Sequence, residues 1–253
     1  MKIDDIELHY ELHGKGKPIV FSHAWLDDSS IWNSQVRHLS KNYTVILYDH
    51  RGHGGSDKPK GGEGNYSVQV LSNDIYTLLK KLNLEKPILV GFSLGGFASI
   101  LFSLEHPDKI SKLVLVGVTA KMTPPPSAKL FGILRVLLPY RTFLRILCEY
   151  RFHKPSKQII DEELARALRV DKSIAFECWN ELTENYDVRD KVAQIEVPTL
   201  IVVGEKDKVN LEASRHLNRK IKGSELHIIQ DSGHTVMIEK PREFNQILEE
   251  FIT

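Results

Sequence analysis

Short β-rich apolar runs alternate along this chain with longer amphipathic segments. The runs are IELHYELHG (6–14), PIVFSH (18–23), YTVILYD (43–49), KPILVGF (86–92), KLVLVG (112–117), PTLIVVG (198–204) and ELHIIQ (225–230). The later ones are nearly continuous in Val, Ile and Leu, as expected of strands covered on both faces of a parallel sheet. The first two keep polar residues in alternation around the turn HGKGKP, which predicts an antiparallel edge hairpin. Apolar spacing of three and four predicts helices over 70–82, 94–105 and, after Pro241, 242–251. Strand, helix, strand is the order of an α/β fold with a mostly parallel sheet flanked by helices.

The alternation breaks once. TAKMTPPPSAK (119–129) leaves the pattern through a run of prolines, and the chain beyond it reads as helix rather than strand, notably LFGILRVLLPYRTFLRILCEYRF (130–152) and DEELARALRV (161–170). Sheet patterning resumes at VPTLIVVG. These boundaries predict a core of residues 1–118 and 197–253 with a helical cap, 119–196, inserted after one strand. GGEGN (61–65) is expected to form a surface loop.

One stretch carries candidate chemistry: LVGFSLGGFAS (89–99), a GxSxG pattern centred on Ser93. A chain of this length matches that pattern by chance about one time in ten, so its context decides. It closes an apolar run and opens a helical one. A serine hydroxyl is a weak nucleophile until a base takes its proton, so it must project from a sharp strand-to-helix turn toward an imidazole. Gly91 and Gly95 remove side chains where strand and helix meet. The backbone N–H of Leu94, at the positive end of the new helix, is a candidate donor to a developing oxyanion. A phosphate-cradling loop is disfavoured because neither GxGxxG nor GK[ST] is present at the turn.

The base must be a histidine, oriented by a carboxylate. Downstream of Ser93 stand His106, His153, His216, His227 and His234. His106 ends the helix leaving the serine, His153 lies in the inserted segment, and His216 and His227 fall within a helical and a strand pattern. His234, in DSGHTVMIEKP, lies in a loop after a strand, where an imidazole can reach the carboxyl edge of the sheet. For the acid, VGEKDKVN offers Asp207, three residues past Gly204, with Glu205 as the alternative; Asp231 shares the segment of His234.

Five segments in order resemble the α/β-hydrolase superfamily: SHAWLDDSSIW (22–32), YDHRGHGGSDKP (48–59), GFSLGG (91–96), VVGEKDKV (202–209) and SGHTVMIEKP (232–241). The resemblance spans essentially the whole chain. It points to the serine-nucleophile, cap-bearing group of carboxylesterases, enol-lactonases, C–C bond hydrolases and cofactor-free haloperoxidases. It implies an α/β-hydrolase fold, a Ser93–Asp207–His234 triad and an oxyanion hole of the Trp25 and Leu94 backbone N–H groups. Where relatives usually carry His-Gly, this chain has His23-Ala24, so a strained or altered backbone is expected at residue 24. Epoxide hydrolases and haloalkane dehalogenases resemble the pattern but carry aspartate at the nucleophile position, so serine implies an acyl-enzyme and, most simply, hydrolysis of carboxylic esters. Lactone hydrolysis, C–C bond hydrolysis and a ligand-sensing protein on the same fold are the alternatives. Asp49 and Arg51 are expected to tie a loop together.

Composition narrows the field further. The 253 residues carry 34 basic and 33 acidic side chains, a formal charge of +1, so no global field attracts nucleic acid. No apolar run approaches the ~20 residues that span a bilayer, and the N-terminal residues MKIDDIELHY lack the apolar core of a leader. A cytoplasmic protein without stable membrane insertion is expected. Cys148 and Cys178 lack ligand spacing, and His50 and His53 have no third ligand nearby, so neither metal nor cofactor is expected. From Lys121 to Lys157 the inserted segment is basic (Lys121, Lys129, Arg135, Arg141, Arg145, Arg151, Lys154, Lys157, against Glu149) and rich in Leu and Phe. That composition suits a lid over an apolar acyl or aryl pocket, or contact with an anionic lipid surface. The expected partner is a small ester or lactone; the oligomeric state is not legible.

Overall fold

A computed structural model describes residues 1–60, 65–122, 134 and 136–253. Its strands are β1 (Lys2–Ile3), β2 (Ile6–Glu7), β3 (Tyr10–His13), β4 (Lys17–Ser22), β5 (Tyr43–Tyr48), β6 (Ile88–Phe92), β7 (Lys112–Val116), β8 (Thr199–Gly204) and β9 (Glu225–Ile229). β1 and β2 pair only with each other; the remaining seven form one sheet in the order β3-β5-β4-β6-β7-β8-β9. Every pairing in that sheet is parallel except β3 with β5. The helices are α1 (Asn33–Leu39), α2 (Val68–Lys81), α3 (Leu94–Glu105), α4 (Tyr140–Arg151), α5 (Lys157–Ala167), α6 (Lys172–Glu184), α7 (Leu211–Lys220), α8 (Val236–Glu239) and α9 (Pro241–Ile252).

The continuous apolar runs are explained by two cores. In β6, Leu89 packs into a cluster with Leu78, Phe97 and Phe102 of α2 and α3, while Val90 and Phe92 pack opposite, with Trp32 and with Phe244 and Leu248 of α9. Alternate residues thus point to different cores and both must be apolar. Helix starts follow local chemistry: the Ser67 and Ser156 hydroxyls accept hydrogen bonds from Val70 and Ile159 N–H at the heads of α2 and α5, and Pro241 opens α9.

The expected edge hairpin is corrected. The edge strand is antiparallel, but its partner is β5, not β4, and the run 6–14 divides between β2 and β3. Gly14 (φ 76°) and Gly16 (φ 129°) supply the reason. A Cβ on either collides with the backbone carbonyls of Ser40, Asn42 or Tyr43 at the entrance to β5. The glycines therefore let the turn pass over β5, and the chain re-enters the sheet on its other side.

Between β7 and β8, the described residues form no strand. Helices α4 to α6 instead build a third apolar cluster around Phe143, Leu144, Leu164, Ile174 and Ala175, with Cys148 and Cys178 buried as free thiols. Entry and exit of this segment are pinned together by a bridge from Lys121 to Asp187 and by Val188 N–H to Ala120 O (2.9 Å). Most of 119–129 and 61–65, and with them Lys129 and Arg135, lie outside the described residues. Among the described residues no helix is long and apolar enough to cross a membrane.

Candidate active site

Ser93 sits between the end of β6 and the start of α3 with φ 48° and ψ −113°, a left-handed conformation that a residue with a Cβ normally avoids. The turn is held from both sides: Ser93 N–H donates to Val116 O (3.0 Å), and Ser93 O accepts from Phe97 N–H (2.9 Å). Its glycines are required by close approach. A Cβ on Gly95 would lie 2.5 Å from the carbonyl oxygens of Ser22 and His23, and one on Gly91 2.6 Å from Gly95 O. Backbone strain at a serine, sustained by packing on all sides, is the arrangement found where a side chain has to be presented.

The chain brings His234 and Asp207 to the same place from later strands. Asp207 follows β8 and His234 follows β9, and Asp207 Oδ2 accepts from His234 Nδ1–H at 2.7 Å. That bond fixes the tautomer, leaving Nε2 free to accept a proton. Asp207 is anchored by four further donations: Oδ1 accepts from the N–H groups of Val209 (3.2 Å) and Asn210 (3.1 Å), and the Asn210 amide donates to both oxygens (3.1 and 2.9 Å). Burial works to raise the Asp207 pKa, but the His234 charge and the hydrogen bonds from His234 and Asn210 outweigh it, and the net shift is downward. The imidazole is steadied by ring contact with Phe92 (4.8 Å between centroids). Glu205, the alternative acid, is engaged elsewhere, with Lys206 (3.0 Å) and Asp231 N–H (3.3 Å).

Ser93, Asp207 and His234 line one cavity of about 360 Å³ together with Ala24, Trp25 and Leu26. Leu94 is the first residue of α3, where helix geometry leaves the N–H without an intrahelical acceptor. The expected strain at residue 24 falls elsewhere: Ala24 is not among the left-handed residues, whereas Leu26 is, at φ 66°. The loop is held from two sides. His23 Nδ1–H donates to Ala24 O (2.8 Å) while His23 Nε2 accepts from His50 N–H (2.8 Å), and the Trp25 indole donates to Ala175 O of α6 (2.9 Å).

YDHRGHGGSDKP is structural. Asp49 accepts from Ser29 N–H (2.7 Å) and Gly55 N–H (2.8 Å), and Arg51 grips Asp74 of α2 through two bonds of 2.7 and 2.6 Å. His50 and His53 meet the His23 ring edge-on and tilted (ring centroids 4.4 and 5.5 Å), and among the described residues no cluster is arranged to hold a metal ion. Sequence reasoning missed Asn210 and Arg151. Asn210 was accessible in principle as the amide three residues beyond the acid; Arg151 carried no signal beyond its place in a basic run.

The sequence profile of the alpha/beta hydrolase fold matches residues 17–144, half of the chain. The chain belongs to that family. Its relatives include 3-oxoadipate enol-lactonase 2 of Acinetobacter baylyi, 27% identical over 97% of this chain and 92% of that protein. Among solved structures, an esterase from Exiguobacterium antarcticum superposes with a TM-score of 0.90 (26% identity, 99% and 97% covered). Est816, described as an N-acyl homoserine lactone degrading enzyme, superposes at 0.87 (29% identity, 99% and 98% covered).

Proposed function

We propose that this α/β hydrolase is a serine hydrolase that cleaves carboxylic esters through an acyl-enzyme, with Ser93 as nucleophile, His234 as base and Asp207 as its orienting acid. The observation that carries this reading is the 2.7 Å bond from His234 Nδ1 to Asp207, in a cavity that the strained Ser93 also lines. Ser93 Oγ attacks the ester carbonyl as His234 Nε2 takes its proton, and the oxyanion is received by the N–H groups of Trp25 and Leu94. Collapse breaks the C–O bond, the leaving alkoxide takes the proton from Nε2, and water repeats the sequence to release the acid.

The inserted segment 119–196 is read as the cap of this site. Among its described residues Met122, Leu134, Leu147 and Trp179 wall the cavity, whose described lining is mostly apolar and whose volume suits a small ligand. Among the described lining residues the one Lys or Arg is Arg151, which is paired with the buried carboxylates of Asp27 and Glu163. Among the described lining residues no charge is left for an anionic substrate, so a neutral ester with an apolar acyl or aryl part fits best. A neutral lactone presents the same carbonyl chemistry, and the enol-lactonase and lactone-degrading relatives favour it as the second reading.

A panel of p-nitrophenyl esters of increasing acyl length beside neutral lactones tests both, and faster turnover of one class assigns the substrate. Ser93→Ala should lose about 10⁴- to 10⁶-fold in kcat. Retention of wild-type turnover by that variant would sink the assignment.

A further inference from the structure

Resting on the serine-hydrolase reading, we propose that Arg151 is a positioning residue for catalysis, the centre of a strut by which the cap holds the oxyanion loop and the base loop in register. Arg151 is the last residue of α4, and it touches the oxyanion loop, the residue before Ser93 and the loop of His234. Its guanidinium donates to both oxygens of Asp27 on the oxyanion loop (2.6 and 3.2 Å). It lies 5.8 Å from the ring centroid of Phe92, the residue before Ser93. Its carbonyl oxygen accepts the His234 backbone N–H at 2.7 Å.

The contact with the base loop is built for closeness. Gly233 has no room for a side chain, since a Cβ there would lie 2.7 Å from Arg151 O and 2.9 Å from His153 N. Glu239 adds a clamp: Oε2 accepts from His153 N–H (2.7 Å), and Oε1 accepts from Gly233 N–H (2.9 Å) and the Thr235 hydroxyl (3.2 Å). Residues 151–153 of the cap are thereby tied on either side of the histidine that serves as base.

The charge arrangement argues for position rather than stability. Asp27 and Glu163 expose none of their side chains, Arg151 bridges them (3.4 Å to Glu163), and Arg166 completes a neutral quartet against Glu163. Burying ion pairs gains little over apolar packing of the same volume, because desolvation offsets the attraction. What such a quartet supplies is directional geometry, and a forked guanidinium fixes two partners at once in a way a single ammonium cannot.

The test uses Arg151→Lys, which keeps the charge and loses the fork, and Glu239→Gln, which keeps one acceptor of the clamp and loses the other. For each, thermal midpoint, kcat and KM on a p-nitrophenyl ester, and the rate of Ser93 phosphonylation by a fluorophosphonate are measured, normalised to titrated active sites. Misplacing reacting groups by a fraction of an ångström lowers kcat and the phosphonylation rate by about 10- to 100-fold in Arg151→Lys, with a smaller loss in Glu239→Gln and KM nearly unchanged. A purely structural role would lower the midpoint and leave kcat per titrated site intact. Should either variant fold while keeping both rates within about twofold of wild type, the proposal is overturned. A wild-type protein that is neither phosphonylated nor active on any ester or lactone would overturn the serine-hydrolase reading itself, and the strut with it.

Discussion

At the scale of single residues, the anchoring of Asp207 determines what a change there would do. Oδ1 is held by two backbone N–H groups, while Oδ2 faces His234. In Asp207→Asn the single carbonyl oxygen is therefore captured at the Oδ1 position, and the amide NH₂ is turned toward His234 Nδ1. That donor forces the proton onto Nε2, where it blocks the base. On the proposed mechanism kcat should fall by about 10⁴-fold with the fold intact, measured as initial rates beside a circular dichroism spectrum; a loss under tenfold would remove Asp207 from the orienting role. Asp207 and His234 were legible because each lies in a loop just after an apolar strand run, β8 and β9, which with the family resemblance placed them at one edge. Arg151 was not, because its contacts are with Asp27 and His234, distant in sequence, which no periodicity brings together; Asn210 bonds Asp207 only three residues away, but an asparagine in a loop carries no pattern that marks it.

At the scale of elements, the turn from β6 to α3 has no slack. Gly95 N–H donates to His23 O (3.0 Å), so the turn that carries Ser93 and the loop after β4 share a direct backbone bond, and a Cβ at Gly95 would lie 2.5 Å from the carbonyl oxygens of Ser22 and His23 and from the Ser22 hydroxyl. Backbone cannot swing aside as a flexible side chain can. Gly95→Ala is expected to cost about 2–3 kcal/mol or more through overpacking, read as a lowered urea midpoint; an unchanged midpoint would contradict the geometry. The same reasoning marks where pattern reading stops. The parallel strands and their flanking helices were evident from runs of Val, Ile and Leu, but the partner of the edge strand was decided by Gly14 and Gly16 crossing β5, and a turn sequence does not say which strand lies beneath it.

For the whole molecule, the buried histidines set the response to acid. Burial first, then the electrostatic effect of His23, hold His53 down to about 4 against the opposing pull of Asp27, Asp49 and the bond to Arg51 O, and His50 is lowered in the same direction by burial, His23 and His53. Neither ring can take a proton without placing a charge in a fully buried site. In the unfolded chain both titrate near 6.5, so between about 6.5 and 4 the unfolded state binds more protons and stability falls as the pH falls. Over that interval His53 alone accounts for about 3 kcal/mol, a large share of the 5–15 kcal/mol that holds an ordinary domain together. The contribution is fully present above pH 6.5 and is gone below about 4. Asp207, whose pKa is lowered, adds a loss of the same sign but only at lower pH, beginning below the unfolded carboxyl's ~3.9 and complete once the folded carboxyl protonates. Urea midpoints measured from pH 7.5 to 4.5 should therefore hold down to about pH 6.5 and decline below it in wild type. His53→Phe keeps an aromatic ring of similar footprint and removes the titration, so its midpoints should decline less steeply across the same interval, even if its stability at pH 7.5 is lower for want of the bond from His53 Nδ1 to Arg51 O (3.0 Å). Parallel pH curves for the two proteins would show that His53 is not a source of the acid sensitivity.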